Sequence, residues 1–151
     1  MKCHDTQVKF IQGEAFGEKE NHPDVMAEGV KCTECHATIS RGHSLAEVKK
    51  TCVQCHEKRY GEMADGWQKE VSDQMKRLRL SLEALRVRKK LLPDTEKREV
   101  DALTRKVEEV LKTVDEDKSK GVHNFIYAKR LMSEVEKRVL TTKTTISKVL
   151  E

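Results

Sequence analysis

The sequence predicts an all-α fold in two parts: a loop-rich segment over 1–60 and a long antiparallel three-helix bundle or coiled coil over 61–151. Three observations predict it. All five cysteines and five of the six histidines fall within residues 1–60. Apolar residues after residue 61 recur at helical spacing in three successive stripes. Aromatic residues make up only 4% of the chain and charged residues 37%, so there is little apolar material for any other kind of core.

The first segment carries Gly13, Gly17, Pro23, Gly29 and Gly42 among short polar stretches, which reads as loops and short helices wrapped around something. The second opens with Trp67, Val71, Met75, Leu78, Leu82 and Leu85, spaced 4-4-3-4-3 along one face of a helix over 62–92. Pro93 interrupts, with Asp94 or Thr95 placed to cap the next helix. Val100, Leu103, Val107, Val110 and Val114 form its stripe, and the run from Asp115 to Gly121 reads as a polar loop. The last helix follows a heptad pattern through Phe125, Ala128, Met132, Val135, Val139, Thr142, Ile146 and Val149. Its length also leaves room for contact with a second copy of the chain, a homo-oligomer through the C-terminal helix.

The formal charge of +4 is spread along the chain with no basic block and few aromatics, which argues against a nucleic-acid partner. No run of roughly 18 apolar residues is present, so no membrane span is expected. Met1-Lys2-Cys3-His4-Asp5 has no apolar stretch of the kind that opens a secretory signal.

Two segments carry chemistry. Cys32-Thr33-Glu34-Cys35-His36 and Cys52-Val53-Gln54-Cys55-His56 both have the form Cys-x-x-Cys-His. This spacing sets two thiols one helical turn apart, ready to add across the two vinyl groups of a haem, while the adjacent His reaches the iron. The rival is a four-cysteine zinc site, because 16 residues separate the two pairs. Zinc does not require His after each pair. With 6 His in 151 residues, that coincidence has a chance of roughly one in 600. A thioredoxin-like motif predicts one pair within a βαβ unit, and a plain disulfide framework ignores the histidines. Haem c on Cys32/Cys35 and Cys52/Cys55, with His36 and His56 as proximal ligands, is the expected cofactor. Such attachment takes place outside the cytoplasm, so the location expected is periplasmic or extracytoplasmic, the sequence being a mature form or a fragment.

Cys3-His4 has the form of the last two residues of a third motif, which makes His4 a third proximal ligand. The remaining histidines, His22, His43 and His123, then match the number of distal positions. His22 lies 10 residues before Cys32 and His43 7 residues after His36. A helix over 62–92 climbs about 45 Å and a segment over 94–120 descends about 40 Å, which returns His123 to the haem end. Met26, Met63 and Met75 are alternative distal ligands, of which Met75 sits on the apolar stripe and reads as core.

This order of parts resembles the C-terminal portion of the pentahaem cytochrome c nitrite reductases and their multihaem relatives. The shared pattern is His22, the motif ending at His36, His43, the motif ending at His56, Trp67 on a long helix, and Gly121-Val122-His123-Asn124 after a helical return. The resemblance covers residues 20–140. It implies that His123 serves the haem on Cys32 and Cys35, His22 the haem on Cys52 and Cys55, and His43 a haem at Cys3. That family's catalytic haem is lysine-ligated in a Cys-x-x-Cys-Lys motif, and no such motif is present here. Catalysis therefore does not carry over. The expected function is electron transfer through bis-histidine haems, with redox proteins as partners. The alternatives are an electron-feeding fragment of a multihaem reductase and, more remotely, a structural zinc protein.

Overall fold

The computed structural model describes residues 4–16, 23–36 and 45–150; His22, His43 and Cys3 lie outside the described residues. Among the described residues the chain is helical and has no strand. Six α-helices follow one another: α1 (Asp5–Gln12), α2 (Cys32–Cys35), α3 (Leu45–Cys55), α4 (Arg59–Lys89), α5 (Asp94–Glu116) and α6 (Phe125–Val149), with a 3-10 turn at Val25–Glu28. No helix among the described residues is long and apolar enough to cross a membrane.

The three long helices each pack on the other two. Val71, Met75, Leu78, Leu82 and Leu85 of α4 are all buried, as are Val100, Leu103, Val107, Val110 and Val114 of α5. Each stripe is buried because a 3.6-residue period keeps its members on one side of the cylinder. Polar contacts record the directions. Between α4 and α6 the pairs Glu70–Lys129, Gln74–Glu136, Ser81–Lys143 and Arg88–Ser147 rise in number together, so these helices run the same way. Between α4 and α5, Arg86 meets Glu108 and Lys89 meets Asp101, so those two run in opposite directions. Gln74 is buried, and its Nε2 donates to Glu136 Oε2 at 2.8 Å. A buried amide held this way ties α4 and α6 to one register.

Several local expectations are corrected. The helix expected over 62–92 begins at Arg59 and ends at Lys89, with Leu92 buried in the turn that follows. Neither Asp94 nor Thr95 caps α5: Pro93 occupies that position and no side chain makes a capping hydrogen bond. Proline loses nothing there, since the first N–H groups of a helix are unpaired anyway. The acidic Asp94 and Glu96 instead sit at the positive end of the helix dipole. Of the expected stripe on α6, Ala128, Met132, Val135, Val139 and Ile146 are buried, Phe125 and Thr142 are partly buried, and Val149 is exposed.

The run from Asp115 to Gly121 is the largest departure. α5 continues to Glu116, and Asp117, Ser119 and Gly121 are buried. Lys118, Lys120 and Gly121 all take positive φ, at 64°, 54° and 91°. Gly121 is pressed against α4: a Cβ there would lie 2.7 Å from Val71 Cγ2. Only glycine tolerates both the backbone and the contact. Asn124 then caps α6, its Oδ1 accepting from Tyr127 N at 3.0 Å.

The N-terminal residues join the same core. Gly13, in the left-handed conformation at φ 72°, ends α1. Phe10 is fully buried and meets the Tyr127 ring edge-on, with centroids 5.4 Å apart. Burial on that scale stabilises by about 1.5–3 kcal/mol. Ala15 N donates to Tyr127 Oη at 3.1 Å, and Asn124 Nδ2 donates to Ile11 O at 3.1 Å. One residue pair, Asn124 and Tyr127, thus anchors α1 to the start of α6.

Candidate functional site

Both Cys-x-x-Cys-His motifs have the same local geometry. Cys32–Cys35 is α2 itself, and Cys52–Cys55 is the last turn of α3. In each, the His amide closes one helical turn onto the first cysteine: His36 N to Cys32 O at 2.9 Å, His56 N to Cys52 O at 2.9 Å. One turn carries the fourth residue back over the first, so each pair of thiols shares a side. Glu34 helps start α2, accepting from Lys31 N at 3.1 Å. α2 packs on α3, and the two motifs are neighbours. Burial raises the Cys35 thiol above its ordinary pKa, and the nearby Cys52, Cys55, Glu34 and Cys32 push it further the same way.

The α5–α6 connection delivers His123 to the first motif. The rings of His36 and His123 have centroids 6.0 Å apart and planes inclined at 63°. A metal–imidazole nitrogen bond is about 2.0 Å and the ring centre lies roughly 1.1 Å behind the nitrogen. Two imidazoles facing each other across one metal therefore have centres about 6 Å apart. The 6.0 Å centroid spacing of His36 and His123 matches the length such a pair would need. Among the described residues no three His, Cys, Asp or Glu side chains gather around a point to cage a bare ion. An axial pair needs only two.

His123 is held from behind. Its Nδ1 lies 2.7 Å from Asp117 Oδ1, the Asp117 side chain being fully buried and that of His123 23% exposed. Ser119 Oγ donates to Asp117 Oδ2 and accepts from His123 N at 3.0 Å. Asp24 stands near the same ring. Burial raises its carboxyl above the ordinary range, against the opposing effects of the Met26 N–H that bonds it and of the nearby His123.

The other expected site residues are placed as follows. His56 is exposed and stacks on Tyr60 at 4.5 Å. His4 is exposed at the start of α1, its carbonyl accepting from Val8 N. Met26 and Met63 are exposed, and Met75 is part of the core. Phe125 stacks on Trp67 with centroids 5.4 Å apart and planes within 17°. Sequence reasoning did not single out Asp117 or Ser119. Inside Asp115-Glu116-Asp117-Lys118-Ser119-Lys120, nothing in composition separates the buried pair from its solvated neighbours.

Set against known proteins, the chain matches no family model, no curated protein and no solved structure.

Proposed function

We propose that this chain is a multihaem c-type cytochrome that transfers electrons between redox partner proteins outside the cytoplasm. The observation that carries the reading is the 6.0 Å spacing of His36 and His123, next to two attachment motifs with identical backbone closure. Haem, when bound, supplies a one-electron Fe(III)/Fe(II) couple.

The residues contribute attachment, ligation and enclosure. Cys32 and Cys35 would hold one group and Cys52 and Cys55 a second, with a third at Cys3-His4. His36 and His56 would take the proximal positions, and His123 the position opposite His36. His22 and His43 complete the axial set by the resemblance to the nitrite reductase C-terminal portion. Two protein ligands on an iron leave no position for substrate, which favours electron transfer over catalysis. The three-helix bundle, or coiled coil, would act as a brace that carries His123 on the connection between α5 and α6. A ligand fixed by packed helices moves less than one on a solvated loop, and small rearrangement on oxidation suits an electron carrier.

The test is maturation of the protein with the haem-attachment machinery, followed by intact mass and carbon monoxide titration. At least two added haems should survive acid and organic extraction, and carbon monoxide should leave the reduced spectrum largely unchanged. His123→Ala should convert one haem to a form that binds carbon monoxide. An unmodified mass with stoichiometric zinc would refute the reading. A fully attached haem that is already high-spin in the unaltered protein would replace it with an electron-feeding part of a reductase.

A further inference from the structure

We propose that Asp117 is a positioning residue for His123, presetting the ring to bind iron through Nε2 and lowering the reduction potential of that one haem. The inference rests on the reading of His123 as an axial ligand.

The geometry states the first half. A carboxylate only accepts hydrogen bonds, so at 2.7 Å from Asp117 Oδ1 the proton of a neutral His123 ring sits on Nδ1. The lone pair is then on Nε2, and the neighbouring imidazole, His36, stands at metal-spanning distance. Free imidazole side chains have no such instruction and distribute between tautomers. The carboxylate removes the choice before any metal arrives.

The second half follows from burial. The Asp117 side chain is 0% exposed, so a carboxylate there is screened by water and salt far less than one on the surface. Its other oxygen is held by the Ser119 hydroxyl and by Ser119 N at 3.3 Å. The same hydroxyl accepts from His123 N, so carboxylate, serine and histidine close into one ring of hydrogen bonds. The backbone that allows it is unusual: Lys118 and Lys120 both adopt φ values that cost an ordinary residue energy. A buried carboxylate on the far nitrogen makes an imidazole a stronger donor, as carboxylate–histidine–metal arrangements do elsewhere. A stronger donor stabilises the oxidised iron over the reduced.

Asp117→Asn separates charge from shape, because the amide oxygen can still accept from Nδ1–H. Potentiometry of the haem-loaded variant should show one haem easier to reduce by at least tenfold, which is 59 mV for one electron. The others should be unmoved, and that haem should stay low-spin with shifted EPR g values. A shift below twofold, with His123→Ala still converting one haem to a carbon-monoxide-binding form, overturns the role of Asp117 and leaves the ligand reading intact. If His123→Ala converts no haem, the ligand reading itself falls. A measurement on the unaltered chain guards against a variant that does not fold. Long-range proton–nitrogen NMR of the haem-free protein should report His123 as the Nδ1–H tautomer, and finding Nε2–H overturns the proposal.

Discussion

Gly121→Ala tests whether the connection between α5 and α6 is held as tightly as its contacts require. Gly121 has φ 91°, and an added Cβ would meet Val71 Cγ2 at 2.7 Å. Holding an L-residue in a left-handed backbone costs about 1–2 kcal/mol. Forcing a methyl into a packed site costs about 1–3 kcal/mol more, since Val71 is fully buried and cannot swing away. Against this, alanine restricts the unfolded chain and returns about 0.4–1 kcal/mol. The net expectation is a loss of about 1–4.6 kcal/mol. For a chain of this size that lowers Tm by roughly 2–18 °C. Urea unfolding followed by helical circular dichroism measures it. The double variant Gly121→Ala/Val71→Ala makes the partition visible: removing the Val71 methyls relieves the clash but not the backbone strain. The double variant should therefore be more stable than the sum of the two single losses predicts, by about 1 kcal/mol or more. Additive losses, or a Gly121→Ala loss below about 0.5 kcal/mol, would mean that the connection sits away from α4, and the placement of His123 would lose its support.

Two further outcomes are expected. Phe10→Ala should cost about 3–5 kcal/mol, because the ring is fully buried against Tyr127; a loss under 1 kcal/mol in urea unfolding would show that α1 does not dock on α6. In the haem-free protein, iodoacetamide should alkylate the exposed Cys55 faster than the half-buried Cys35, whose thiol is also raised in pKa. After haem attachment, peptide mapping should find none of Cys32, Cys35, Cys52 and Cys55 alkylated, and full labelling of either pair would count against its thioether bonds.

Much of the fold was legible because helix burial is a local rule. A stripe such as Val100, Leu103, Val107, Val110 and Val114 can be buried together only on one face of a helix, whatever it packs against. The two Cys-x-x-Cys-His turns were legible for the same reason: two cysteines and a histidine within five residues carry their geometry in their spacing. Phe10 and Tyr127 gave no such signal, since their partnership spans more than a hundred residues and rests on no period.

The sequence by itself determined the all-α class, the stripes and the two Cys-x-x-Cys-His turns, because each depends on neighbours within one or two helical turns. Helix lengths bring His123 back to the end that carries His36, but tertiary structure alone decided the 6.0 Å spacing of the two rings and that Asp117 stands behind His123. Those contacts depend on how far α4 rises, where α5 stops, and how closely Gly121 lets the chain lie against Val71. A carboxylate in a run of charged residues reads as solvated by composition. Only the packing of α4, α5 and α6 around it removes the water and leaves a histidine nitrogen as its partner.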